Sequence, residues 1–127
     1  MTFKMSATHR YWWPVQVKQP VADADPKKAG RVETMTLKLL FEAIDQDVAK
    51  ALDAELAALP KEERESRQHE HIEQVTKDWA DVVDDDNQPI PFSLDRFRQA
   101  MQRSWFRLAV YKAYAASIAG EEARLKN

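Results

Sequence analysis

Residues 78–97 read DWADVVDDDNQPIPFSLDRF, and they divide the chain at a turn. Upstream, Ile72, Val75, Trp79, Val82 and Val83 recur mostly at helical intervals, which predicts the end of a helix with one apolar stripe. Asp84-Asp85-Asp86-Asn87-Gln88-Pro89 then stops regular structure. Successive carboxylates at a helix C-terminus oppose the macrodipole, and Pro89 cannot continue a helix. Asn87 suits the turn because asparagine tolerates left-handed backbone. Pro91 keeps Ile90 extended, Ser93 is an N-cap, and Asp95 lies in the first turn of a new helix. Phe92 and Phe97 then fall at N′ and N4, the spacing of a hydrophobic staple.

Downstream, helices are expected over 94–103 and 104–119, with a bend near Arg103-Ser104. Leu94, Phe97, Met101, Trp105, Leu108 and Ala115 make one face, while Phe106, Val110 and Tyr114 make a second. Two stripes imply burial between two layers, of this chain or of another. Gly120 fits the position after the helix, and 120–127 is a polar tail.

At the other end, residues 1–10 read as a flexible leader. A single domain is expected over 11–119, opening with an antiparallel β-hairpin over 11–41. Trp13, Val15 and Val17 alternate with polar residues, as do Met35, Leu37, Leu39 and Phe41, the period of a half-buried strand. Pro14 restricts the first strand to a sheet edge or a bulge. The polar segment from Gln19 to Gly30 reads as the loop between them. Asp45 is a plausible N-cap for a helix over about 46–59, striped by Ile44, Val48, Leu52, Leu56 and Leu59. Pro60 then opens a helix over about 61–78, whose first half is nearly all polar, with Glu63–Arg67 and Glu73–Lys77 at i,i+4. The fold class is therefore mainly α within an α+β frame: a hairpin followed by about four helices.

The 127 residues carry a formal net charge of −2, 44% hydrophobic residues and no cysteine. That composition suits a soluble globular domain with a core, excludes disulfides and thiol chemistry, and supplies no global basic field for nucleic acid or an anionic membrane. No long apolar segment or secretory signal is present. Two glycines, Gly30 and Gly120, cannot build a phosphate loop. His69 and His71 are two apart, about 200° around a helix, so they cannot form the two-histidine face of a zinc protease. His69 with Glu73 is an i,i+4 pair on a charged helix, read as solvated polar residues. The aspartate run lacks the glycine and the terminal glutamate of a calcium loop. Serines 6, 66, 93, 104 and 117 lie in no nucleophile elbow. An enzyme, a metal and a cofactor are not expected. Arg96, Arg98, Arg103 and Arg107 give the last helical region a basic flank, which offers a weaker nucleic-acid reading.

A β-rich N-terminal segment, a helical middle, Trp79-Ala80-Asp81-Val82-Val83-Asp84-Asp85-Asp86, Pro89-Ile90-Pro91-Phe92-Ser93, an aromatic helix with Tyr111 and Tyr114, and the ending Ala123-Arg124-Leu125-Lys126-Asn127 together resemble the tail assembly chaperones of long-tailed bacteriophages. One usual form of that family has glycine where this turn has Asn87. The resemblance implies binding of the tape measure protein in the host bacterial cytoplasm, which keeps that protein soluble until the tail tube polymerises around it. It also implies self-association, absence from the finished virion, and in many phages a longer frameshifted form that recruits tail tube protein. No catalytic residues come with it. A client needs apolar grooves rimmed by charge, and the expected contact surface is Trp12 and Trp13 of the hairpin with Phe106, Val110 and Tyr114. The alternatives are a phage structural adaptor, such as a head–tail joining component, and a small nucleic-acid-binding regulator.

Overall fold

In the computed structural model, which describes residues 1–120, three antiparallel strands lie in the order β1-β2-β3. The elements in chain order are β1 (Arg10–Pro20), β2 (Val32–Glu42), α1 (Gln46–Ala58), α2 (Lys61–Val75), β3 (Thr76–Ala80), α3 (Leu94–Met101) and α4 (Ser104–Ile118). The hairpin is as expected, slightly longer at both ends. Its alternation puts Val15, Val17, Leu37, Leu39 and Phe41 on one buried face, and each such side chain contributes roughly 1.5–3 kcal/mol by leaving water. Pro14 does sit on an edge strand. Asp25 caps a short 3-10 turn, Pro26–Lys28, at the hairpin tip. Residues 1–9 form neither helix nor strand, and the polar tail beyond Gly120 lies outside the described residues.

The helix expected through residue 78 stops at Val75, and a third strand takes its place. Thr76 makes the switch without a loop: its backbone N–H and its Oγ1, the latter at 2.7 Å, both donate to the Ile72 carbonyl, so the buried hydroxyl has a partner inside the last turn of α2. Phe41 then pairs with Thr76 and Leu39 with Trp79, with a register shift between Leu40 and Phe41. The bulge places residues three apart, Thr76 and Trp79, on the same buried face opposite residues two apart. A bulged strand thus imitates a helical spacing. Two expected i,i+4 pairs are also absent. Arg67 instead reaches Glu55 of α1 at 3.0 Å, and Lys77, now in the strand, reaches Glu42 at 3.6 Å.

After Ala80 the chain turns away at Asp81, φ 64°, and builds a small hairpin closed by Ile90 N donating to Val82 O and Asp84 N to Gln88 O, both 2.9 Å. Asn87 occupies the left-handed position, φ 60°, while the Asp84 carboxylate accepts from Asp86 N and Gln88 N. The aspartate run is this turn. The Trp79 indole donates to Ile90 O at 2.7 Å, tying the turn to the sheet. Ser93 accepts from Arg96 N at 3.1 Å, a cap worth about 1 kcal/mol, and the Phe92 and Phe97 rings lie 6.0 Å apart.

The last helical region breaks outright at Gln102–Arg103, where Arg103 is extended (φ −83°, ψ 124°). The break resets the helical phase, so the first expected face does not persist: Leu94 and Leu108 are 41% and 67% exposed. In α4 the buried residues are Ala109, Val110, Ala113 and Tyr114, and the two alanines let the helix lie close along β1. Tyr11 and Ser117 fix that contact through a 2.8 Å hydroxyl pair. Gly120 closes the helix at φ 73°, as its position predicts.

Candidate functional site

The two tryptophans and three α4-region residues expected to form one contact surface do not form one on the outside of the molecule: Trp13, Phe106, Val110 and Tyr114 all turn toward the core. Consecutive strand residues face opposite ways, so Trp12 lies 47% exposed, across from Leu40 on the outer face, while Trp13 packs against the core beside Tyr11. Phe106 is partly buried against Phe97, with centroids 6.2 Å apart. Val110 is 0% and Tyr114 8% exposed. Those two are intrachain core, because α4 must cover the apolar face of β1. Of the five, Trp12 alone presents a large exposed surface.

An open groove of about 410 Å³ lies instead between the end of β2, α1 and α2. Its apolar wall is Ile44, Val48 and Leu52, with Val75 opposite, and its rim carries Glu42, Glu55, Arg67 and Lys77. The wall is the stripe legible in the sequence from Ile44 to Leu59. Ile44 packs partly buried against the core, but no residue of α1 is buried, and Val48 is 51% exposed. Asp45 stands at the N-cap without making a side-chain capping bond. Polar contacts hold α1 in place. Arg64 donates to the terminal carbonyls of Leu56 and Leu59 at 3.0 and 3.1 Å, and Arg67 donates to Glu55. A helix held by exposed bonds with little buried area belongs to the least stable part of a fold. Arg67 Nη1, buried with no hydrogen-bond partner among the described residues, adds to that, since such a donor typically costs about 1–3 kcal/mol.

Behind the groove, α2 meets α4 through two histidine–tyrosine pairs. His71 Nε2 lies 3.3 Å from the Tyr114 hydroxyl, and His69 Nδ1 lies 3.4 Å from the Tyr111 hydroxyl. His69 Nε2 also meets Glu73 at 3.3 Å, and Arg98 of α3 reaches the same carboxylate oxygen at 3.1 Å. The cluster joins three helices. Burial raises both tyrosine pKa values, the wrong direction for a phenolate base at neutral pH. No group of three metal-ligating side chains occurs among the described residues. These contacts are structural clamps.

Burial, and then the Arg67 charge, lower the pKa of His71 from 6.5. The unfolded chain therefore binds this proton more readily, so His71 contributes stability above pH 6.5 that is lost as pH falls below it. Urea midpoints should decline between pH 6.5 and 5 in the native chain and decline less in His71→Gln. Glu42, whose pKa Arg10 holds below 4.5, acts only at lower pH. Equal slopes in both proteins would refute the assignment to His71.

The basic flank does not form a free patch. Arg96 donates to Pro91 O, Arg98 pairs with Glu73, Arg107 donates to Met101 O, and Arg103 lies 6.0 Å from the centre of the Trp105 ring. No described helix is long and apolar enough to cross a membrane. No protein-family model, curated protein or solved structure matches the chain.

Proposed function

We propose that this chain is a non-catalytic client-binding protein, a tail assembly chaperone of a long-tailed bacteriophage or prophage whose client is the tape measure protein. The observation that carries the reading is α1: an apolar stripe with no residue buried, bordering a groove rimmed by both signs of charge. An amphipathic client helix would lay its apolar face there, while the rim sets its orientation. The motifs in the turn and at the start of α3 supply the family resemblance. Binding of tail tube protein through a longer frameshifted form, self-association, action in the host cytoplasm and absence from the virion belong to the same proposal.

Co-expression with the long helical reading frame expected just downstream tests it. The native chain should carry that product into the soluble fraction and co-purify with it. Val48→Asp should reduce the co-purified client at least about tenfold, the effect of about 1.4 kcal/mol. Because Val48 is half exposed, the same variant should keep its melting temperature and circular-dichroism spectrum. A client equally soluble alone would sink the chaperone reading, and undiminished capture by Val48→Asp would remove the groove from it.

A further inference from the structure

The two long edges of the sheet are treated differently by the sequence. Ala43 N donates to His9 O and Val21 N to Arg31 O, both at 2.9 Å, which fixes the phase of the ladder between β1 and β2. With that register, odd-numbered residues of β1 bond to β2 and even-numbered ones face the open edge. Pro14 and Pro20 are both even. Each removes a donor from the free edge without breaking a ladder bond, a common defence against unwanted strand pairing.

The opposite edge of β2 has no such defence. By the same parity Val32, Thr34 and Thr36 direct their N–H and C=O groups away from β1, yet β3 pairs only with residues from Lys38 to Phe41. Among the described residues no strand pairs with that lane beyond Ala80. Asp81 adopts its left-handed turn and is held by Lys38 at 2.8 Å, and Val82, the next residue that could have paired, accepts from Ile90 instead. Val32, Thr34, Met35 and Thr36 are all exposed, Val32 at 62% and Met35 at 49%.

We propose that Val32–Thr36 is a docking edge for an extended peptide segment of a partner protein, which adds to the sheet in line with β3. The lane is about 13 Å long at the usual rise per residue, room for five residues. It continues an existing ladder whose last pair is Lys38 with Ala80. Residues of the segment opposite Thr34 and Thr36 share their outer face and bond to β2. Those between lie on the inner side beside Met35, where an apolar side chain is favoured. The occupant is thus a strand alternating β-branched polar and apolar residues. A second copy fits poorly: antiparallel pairing centred on Thr34 would put its Gly30 opposite Lys38, where Ala80 already stands.

The proposal is independent of the α1 groove. Its test uses the peptide acetyl-KTVTVTK-amide and the intact protein, read by amide exchange and titration. Peptide binding should slow exchange at Thr34 and Thr36. Methylating the peptide nitrogens of the threonines should weaken binding at least about tenfold, whereas methylating those of the valines should leave it unchanged. Thr34→Pro removes the outward donor as Pro14 does on the other edge, so it should abolish binding while the melting temperature holds. Thr34→Val, which keeps the N–H, should bind like the native chain. No binding, or insensitivity to which nitrogens are methylated, would overturn the proposal whether or not Thr34→Pro folds. Concentration-dependent protection of Thr34 and Thr36 in the protein alone would also overturn it, by naming a second copy as the occupant.

Discussion

Val110→Asp is expected to abolish the folded state. Val110 is completely inaccessible in α4, in the apolar core that Ala109, Ala113 and Tyr114 share with the sheet. A carboxylate there must either stay charged in an apolar layer or take up a proton at neutral pH, and either course costs several kcal/mol. The lost valine packing adds to that cost. A domain of this size has about 5–15 kcal/mol in all. Loss of the helical circular-dichroism signal and of the cooperative urea transition would confirm that this face is core. A variant that keeps the native spectrum and only loses a partner would return the face to the role expected from the sequence.

Phe97→Ala is expected to cost about 3–5 kcal/mol, which in a domain of this length lowers the melting temperature by about 10–20 °C. Its ring is fully buried and lies 6.0 Å from Phe92 and 6.2 Å from Phe106. It therefore joins Phe92, the residue before the Ser93 cap, to the first turn of α4. Leu94→Ala and Leu108→Ala, at positions that helical spacing alone would group on the same face, should each cost far less than Phe97→Ala, Leu108→Ala the least, because Leu94 is 41% and Leu108 67% exposed. Calorimetry on the three variants would decide the matter. Similar losses for all three would mean that one continuous helix buries them together.

Those contrasts mark where the sequence was legible. Ser93, Phe92, Asn87, Pro14 and Gly120 act within a few residues of themselves, so capping, stapling and turn chemistry predict them without knowledge of the fold. The hairpin was legible because its alternation needs only one covered face. The third strand was not, since Trp79 falls four residues after Val75 and so continues the stripe of α2, although it lies in a strand. A bend near Arg103-Ser104 was legible, but the faces of 94–118 were drawn across it as for one continuous helix, and the break at Gln102–Arg103 resets their phase. For the contact surface the difficulty was one of allocation. The stripes on α1 and α4 look alike in sequence, and only packing shows that β1 claims α4, while α1, resting on α2, has no fully buried residue among the described ones.

The hydroxyl pair between Tyr11 and Ser117 spans 106 positions of chain, and that span has a meaning during synthesis. Ribosomes add about 5–20 residues per second, so between about 5 and 20 s pass after Tyr11 is made before its partner exists. For most of that interval, from the completion of β2 at Glu42 onward, the apolar side of the first two strands has been translated, but the helix that shelters it has not. The nascent hairpin is then the segment most exposed to misassociation. Prolines on its outer edge guard the growing chain as well as the finished one.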